Sequence, residues 1–170
     1  MGDKLTIKQT QKWSKKLAIA QRASNKNRVK AIHAKIKNTR LDLIHKFTTQ
    51  LVKDNALIVV GDVKSRSFTN KKNKLAKSTY DVGWFELKRQ LEYKCKHAGC
   101  QFEIVNESYT TQTCSYCLKI SDSSPKGRAG LGIRGWRCAE CGTWHDRDIN
   151  AAKNILAVGL DRLAVGIPSV

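Results

Sequence analysis

The 170-residue chain is long enough for one packed domain with a small satellite, and its 41% apolar content is ordinary for a globular protein. Its 32 Lys and Arg outnumber 14 Asp and Glu, and the resulting charge of +18 favours a polyanionic partner, most simply nucleic acid. No apolar run is long enough to span a bilayer, no segment joins a basic face to a broad, aromatic-rich apolar one, and the first residues do not resemble a secretory signal. We therefore expect a cytoplasmic protein that does not act at a membrane.

The first third of the chain predicts two long amphipathic helices. Residues 3–23 and 27–53 carry apolar side chains at helical spacing, and a polar turn at 24–27 separates them. Two facing apolar stripes predict an antiparallel hairpin with a basic outer surface, which we take as a domain of residues 1–55. The predicted stripe residues are Trp13, Leu17, Ala20, Val29, Ile32, Ile36, Leu43, Phe47 and Leu51.

The outer surface of this hairpin is the predicted nucleic-acid-binding region. Its lysines and arginine would neutralise phosphate groups, although such residues could also form a solvated face with no specific partner. The residues that we expect to contact nucleic acid are Lys12, Lys15, Lys16, Lys26, Arg28 and Lys30.

Residues 56–109 have the pattern of a small α/β core. The continuous, mostly β-branched run at 57–60 predicts a strand that is buried on both faces, and residues 101–105 predict a second strand. Between them, residues 61–77 are polar and lysine-rich, which indicates an exposed loop.

A helix is predicted between the two strands. The segment Ser78–Asp81 resembles a capping box, and we expect the helix to cover about residues 79–96 and to end near Gly99. Cys95 and Cys100 lack the spacing of a metal-binding pair, so we interpret them as ordinary semi-buried thiols.

Four cysteines in two C-x2-C pairs predict a zinc ribbon over residues 110–145. Cys114 and Cys117 are separated by twenty residues from Cys138 and Cys141, a spacing that suits a closed tetrahedral Zn²⁺ site with a structural role. Four reduced buried thiols, or two disulfides in an oxidising compartment, are the alternatives. A last helix is predicted at about 147–158, where Gly159 would stop it.

Three stretches carry a family resemblance, namely residues 109–117, 136–142 and 145–155. Together they resemble the C-terminal part of the TnpB/OrfB proteins of insertion-sequence transposons, which are RNA-guided DNA nucleases related to type V CRISPR effectors. The resemblance implies a RuvC-like, RNase H-like fold interrupted by the ribbon, with DNA and possibly guide RNA as partners. The expected fold class is therefore a partial RNase H-like α/β domain, with 56–109 as its core and 146–170 as its last helix and tail.

The resemblance also implies an active site in which three carboxylates hold two Mg²⁺ ions. The last acid of the family falls on Asp148, in a run that reads His-Asp-Arg-Asp-Ile-Asn-Ala-Ala. Asp146 and Asp148 could instead be helix-capping acids, since Asp is a preferred capping residue.

The other two acids of the family pattern are not in their usual places. No Gly-Ile-Asp-x-Gly-like segment, which would carry the first acid, is present, and Gly61 stands where the family has the second acid, a Glu. The implied strand order puts Glu107 beside Gly61, so Glu107 is our preferred substitute. Asp62 is the alternative, one residue out of register and on the opposite face, and Glu107 could also be an exposed loop acid.

The sequence thus predicts a zinc-containing, nucleic-acid-binding part of a transposon-encoded nuclease that does not cleave DNA by itself. Two other functions stay open. An N-terminal polypeptide could complete an active nuclease in trans, or the chain could be a binding-only regulator of transposition.

Overall fold

The computed structural model describes residues 2–62, 83–127 and 129–165. Its elements, in order, are α1 (Gly2–Arg22), α2 (Lys26–Asp54), β1 (Leu57–Gly61), α3 (Trp84–Ala98), β2 (Gln101–Val105), a 3-10 turn (Ala129–Gly132), β3 (Gly135–Arg137), β4 (Trp144–Asp146) and α4 (Arg147–Val165). The α/β class is as predicted. No helix within the described ranges is both long and apolar enough to cross a bilayer.

The predicted helical hairpin is formed by α1 and α2. Ser24 turns the chain with a φ of +52°, and the Asn25 side chain caps α2 by accepting the Arg28 amide at 2.9 Å. Ala20 and Ile32 are buried where the helices meet.

One member of the predicted stripe on α2 was wrong. Phe47 is 55% exposed, whereas its neighbours Ile44 and Thr48 are buried. The reason is that α2 packs against α3 as well as α1, and the buried side chains that face α3, such as Thr48, lie on a different side of the helix from Phe47.

The main core lies between α2, α3 and the strands. Val52, Leu91, Cys95 and Cys100 form its buried centre, and both of these cysteines are free thiols. Within the described residues α3 begins at Trp84, and the proposed capping box at 78–81 lies outside them.

Strands β1 and β2 form a parallel pair in which Gly61 lies opposite Val105. A parallel pair needs a crossover connection, and α3 supplies it. Because side chains alternate along a strand, Ile58 and Val60 face the α2–α3 core whereas Val59 faces α4.

Helix α4 lies across the other face of the strands and continues past the predicted stop at Gly159. That prediction was wrong because Gly159 serves close packing, not helix termination. A Cβ atom at this position would lie 2.5 Å from Cγ2 of Val59, so only glycine lets the helix approach the strand this closely.

Candidate metal centre and neighbouring acids

The four predicted zinc ligands are brought together between the two knuckles of the ribbon. All four sulfurs lie within 4.8 Å of one another, and the Cys114–Cys141 and Cys117–Cys138 pairs are each 3.7 Å apart. A tetrahedron with Zn–S bonds of about 2.3 Å has edges of about 3.8 Å, so this donor set fits Zn²⁺. The six cysteines are free, which excludes the disulfide alternative in this structure.

Hydrogen bonds and burial act unequally on the four thiols. The Thr143 hydroxyl and then its amide lower the pKa of the Cys141 thiol to about 6. The Lys119 amide acts to lower the pKa of Cys117, but burial and the neighbouring sulfurs outweigh it and raise that pKa to about 12. Thiols this close cannot all ionise without a cation, so a divalent ion is what would let all four become thiolates.

His145 supports the cluster, a role that the sequence analysis missed. Its side chain is buried, its Nε2 atom lies 3.0 Å from Cys114 Sγ, and its ring packs against Trp136 with centroids 4.9 Å apart. Burial, and secondarily Lys153, lowers the pKa of His145, so the neutral ring can donate Nε2–H to the sulfur. The cluster is thereby joined to β4, which leads directly into α4.

Asn150 and Asn154 form a second connection between the ribbon and α4. Each side-chain amide donates to the carbonyl oxygens of both Thr110 and Thr113, at 2.7 to 3.2 Å. The Asn150 Oδ1 atom also accepts the Ser115 amide at 2.9 Å. We call these two residues the asparagine clamp. Their spacing of four residues on one predicted helix was the available sequence signal.

The two acids at the start of α4 have different surroundings. Asp146 is the cap, because its Oδ1 accepts the amides of Asp148 and Ile149, each at 3.0 Å. The Asp148 carboxylate instead lies 2.9 Å from Nη1 of Arg134, and it is 63% exposed. The capping alternative therefore applies to Asp146, and Asp148 presents its oxygens to solvent beside a guanidinium group.

Glu107 lies where the sequence predicted, next to Gly61. A Cβ atom built on Gly61 would lie 2.7 Å from Glu107 Oε2 and 3.0 Å from its Cβ. The Glu107 carboxylate thus occupies the space that a side chain at 61 would need. Its catalytic role stays a prediction.

Asp62 lies on the other face of the sheet, as its register predicted. Its carboxylate pairs with Lys88 Nζ on α3 at 2.9 Å, and its amide donates to the Val105 carbonyl at 2.7 Å. Asp62 and Glu107 are therefore directed to different helices.

The orientation of α4 relates Asp148 to this sheet edge. Ile155 contacts the Gly61 position, Gly159 packs on Val59, and Arg162 donates to the Ile104 carbonyl at 3.1 Å. Asp148 is seven residues before Ile155, hence on nearly the same helix face and about 10 Å further along the axis. It therefore extends beyond the carboxyl ends of the parallel strands, where open α/β sheets commonly bind ligands.

The six cationic residues predicted to bind nucleic acid are all exposed on the hairpin. Trp13 lies among such cations, with Lys16 Nζ 5.1 Å and Lys35 Nζ 5.5 Å from its ring centroid. Among the described residues of α2, Asp42 and Asp54 are the acids, so the hairpin remains strongly positive.

Comparison with protein families gives two adjoining matches. The family described as "Probable transposase" matches residues 3–72, and the Cas12f1-like TNB domain matches residues 84–155. The boundary between the matches falls between β1 and α3.

Individual proteins show the same relationship. A protein of Streptomyces pristinaespiralis named "Putative RNA-guided DNA endonuclease" is 37% identical over 148 residues, which is 86% of this chain and 35% of that protein. The TnpB-like protein L79 of Acanthamoeba polyphaga mimivirus is 34% identical over 134 residues, or 75% of this chain and 24% of that protein. The chain thus spans about a third or less of the length of these relatives.

Among solved structures, a chain of the cryo-EM structure of the Cas12f1-sgRNA-target DNA complex is similar in fold. The TM-score is 0.61 at 18% sequence identity, and the match covers 86% of this chain and 41% of that chain.

Proposed function

Because the chain belongs to the TnpB/OrfB-like family, we propose that it binds nucleic acid through the α1–α2 hairpin, holds a structural zinc ion and does not cleave DNA alone. Relatives named as RNA-guided DNA endonucleases make DNA and guide RNA the proposed partners. The hairpin would supply phosphate contacts, which position a nucleic acid without reading its sequence.

The observation that carries this proposal is the arrangement around α4. The four-cysteine cluster is connected through β4 to α4. Helix α4 presents Asp148 beyond the ends of the strands, and Glu107 fills the space beside Gly61 at the same edge of the sheet. Carboxylate oxygens are ligands that Mg²⁺ prefers, whereas the thiolates select zinc. The chemistry of the donors therefore fits two different kinds of metal site.

We propose that the chain does not cleave DNA alone because it has too few suitably placed carboxylates for two metal ions. Two Mg²⁺ ions in such a nuclease need three carboxylates, and Asp148 and Glu107 supply two. The 170-residue sequence has no Gly-Ile-Asp-x-Gly-like segment to supply the first. Two acids would hold a single ion weakly, and the Arg134 guanidinium beside Asp148 would compete with it.

An active nuclease completed in trans is the second candidate. Within the described residues, β1 pairs with β2 on one side and has no strand on its other side. A strand added there by a separate N-terminal polypeptide would bring its own acid to the edge where Gly61 ends. This backbone edge is the specific observation that favours the second candidate.

A cleavage assay separates the two candidates. The zinc-loaded chain is incubated with DNA and Mg²⁺ or Mn²⁺, alone and with an N-terminal polypeptide that carries the opening strand and its acid. We expect no cutting by the chain alone. Cutting that appears with the added polypeptide supports completion in trans, whereas tight binding that never leads to cutting supports the first candidate and, with it, a role as a binding-only regulator.

Variants assign the acids in the reconstituted pair. Asp148→Ala and Glu107→Gln should each abolish cutting, whereas Asp62→Asn, the matched neighbouring acid on the opposite face, should not. Each variant is first checked for one bound zinc. If Asp62→Asn abolishes cutting and Glu107→Gln does not, the choice of second acid is wrong.

A further inference from the structure

We propose that the asparagine clamp fixes the positions of Glu107 and Asp148 relative to the first zinc knuckle, which is the Cys114–Cys117 pair. Asn150 and Asn154 are positioning residues in this proposal, since they act through the segment that they hold. The role of the two acids rests on the proposed function, whereas the mechanical coupling does not.

The clamp directs all four of its amide N–H donors to two carbonyl oxygens. A side-chain amide has two N–H donors and a carbonyl oxygen has two lone pairs. Both donors of Asn150 and both donors of Asn154 are used on the same two carbonyls, those of Thr110 and Thr113, so each oxygen receives two bonds. The site is closed to water, because Asn150 is 1% and Asn154 is 8% exposed.

The clamped segment has a candidate acid at one end and a zinc ligand at the other. The Thr110 amide and hydroxyl both donate to the Glu107 carbonyl, at 3.2 and 2.8 Å. Cys114 follows Thr113 directly, and the next amide, that of Ser115, is held by Asn150. A displacement of the knuckle would therefore move the turn that carries Glu107.

The other side of the clamp is α4 itself. Asp148 precedes Asn150 by two residues in the same helix, so the helix backbone transmits the position of one to the other. An apolar side chain could bury the same surface, but it would fix neither the rotation of α4 nor its register along the segment. It would also leave the buried Thr110 carbonyl and the partly buried Thr113 carbonyl without these donors, which is costly. Paired amides supply direction as well as contact.

It follows that the zinc knuckle and the candidate acids form one mechanical unit. Loss of zinc should release the segment from Glu107 to Cys114 and, through the clamp, the first two turns of α4. The α2–α3 core, which shares no bond with the clamp in the described residues, should be unaffected.

Hydrogen exchange of the full zinc-bound chain tests this coupling without DNA, Mg²⁺ or cleavage. The variant is Asn150→Leu with Asn154→Leu, since leucine has the same branching at Cγ but no donors. Asp161→Asn, an exposed change on the same helix, is the control. Native mass spectrometry establishes that each protein holds one zinc ion. Replacing the zinc by cobalt then shows, from the absorption spectrum of the bound cobalt, that all four thiolates still bind the metal.

We expect exchange in residues 107–115 and 147–156 to accelerate about tenfold or more, in line with the loss of several buried hydrogen bonds. Residues 87–95 of α3 and 135–146 of the ribbon should keep their protection. Chelation should accelerate exchange of 147–156 in the natural chain and have little further effect in the variant.

Two results would overturn the proposal. One is unchanged exchange in 107–115 and 147–156, and the other is uniform acceleration in all four segments, which would make the clamp a source of general stability only. If the double variant does not fold, Asn154→Leu alone is used, because it leaves every bond of Asn150 in place. It should give the same pattern with a smaller acceleration. A failure of Asp148 or Glu107 in cleavage would leave this result unaffected.

Discussion

The α1–α2 hairpin and the zinc ribbon can be compared by what each of them buries. In residues 12–40 of the hairpin, Ala20 and Ile32 are the buried side chains, and the helices satisfy their own backbone groups. In the ribbon the buried groups are mostly polar or sulfur-containing, among them Cys114, Cys138 and His145.

This difference determines how each region responds to substitution. The hairpin depends on backbone hydrogen bonds within its helices and on a narrow apolar contact, so its exposed lysines can change with little structural cost. The ribbon has two three-residue strands and depends on the clustering of four distant thiols and on hydrogen bonds to α4. The hairpin can therefore vary in charge, whereas the ribbon must keep specific atoms in place.

Removal of the zinc should show the largest difference between the ribbon and the hairpin. Replacing Cys138 by Ser, or chelating the metal, should unfold residues 110–145 while the hairpin keeps its helical circular dichroism. Structural zinc binding contributes about 10 kcal/mol or more in small zinc domains, so this is the largest expected effect. Native mass spectrometry should find one zinc in the natural chain and none in the variant. Cys100→Ser, outside the cluster, is the control and should keep its zinc. A metal-free natural chain with an intact ribbon would contradict the assignment.

The second test changes the charge of the hairpin and leaves the ribbon intact. Six exposed cationic residues of the hairpin are changed to Gln, namely Lys12, Lys15, Lys16, Lys26, Arg28 and Lys30. When the logarithm of duplex DNA affinity is plotted against the logarithm of salt concentration, each lost phosphate contact should make the negative slope shallower by about 0.9. Fluorescence anisotropy at several salt concentrations measures the slope. Lys119 and Lys126 of the ribbon, changed to Gln, provide the control. An unchanged slope in the hairpin variant would mean that its surface is only solvated.

A third test concerns the contact between α4 and β1, which belongs to neither region. Gly159→Ala should destabilise the protein by about 1–3 kcal/mol, because overpacking against Val59 outweighs the better helix propensity of alanine. Urea denaturation measures the change. Adding Val59→Ala, which removes the two nearest methyl groups, should make the double variant less unstable than the sum of the single changes. Strict additivity would show that the contact is not the cause.

The smallest expected effect lies in the α2–α3 interface that supports the hairpin. Glu86 accepts hydrogen bonds from Arg89 and, at 2.8 Å, from Gln90, and the Arg89 bond is the main cause that lowers the pKa of Glu86 below 4.5. The stability that ionised Glu86 contributes is therefore fully present above pH 4.5, its pKa in the unfolded chain. It is lost as the pH falls through the lower pKa of Glu86 in the folded protein. Glu86→Gln should cost up to about 1 kcal/mol at pH 7 and progressively less in acid, as Glu86 becomes protonated in the folded protein. Glu92→Gln, an exposed acid of the same helix, is the control, and a loss that does not change with pH would contradict the ion-pair explanation.

Much of the fold was predictable because its determinants are local. A continuous apolar run predicted β1, residues 101–105 were the second predicted strand and form β2, and cysteine spacing predicted the zinc cluster. The parallel neighbourhood of the strands, which puts Glu107 beside Gly61, followed from the implied topology and was confirmed. Its use in catalysis stays a prediction.

What the sequence did not reveal depends on partners that are distant along the chain. Phe47 fits the apolar spacing of α2, but α3 packs on another side of that helix. Gly159 has the character of a helix stop until Val59 is found against it. His145 and the two asparagines could be noticed in the motif, yet the atoms they bind are known only once the ribbon is folded.

The close packing of Gly159 on Val59 also bears on the order of events during synthesis. These two residues are a hundred positions apart, so that face of β1 stays uncovered until nearly all of the described chain has left the ribosome. Contacts of such high sequence separation slow folding, whereas the α2–α3 core is assembled from nearer segments and can form earlier. In the interval, Val59 and its neighbours are a hydrophobic strand surface open to wrong partners. Conditions that slow the arrival of α4 should therefore favour aggregation of the nascent protein more than conditions that weaken the hairpin.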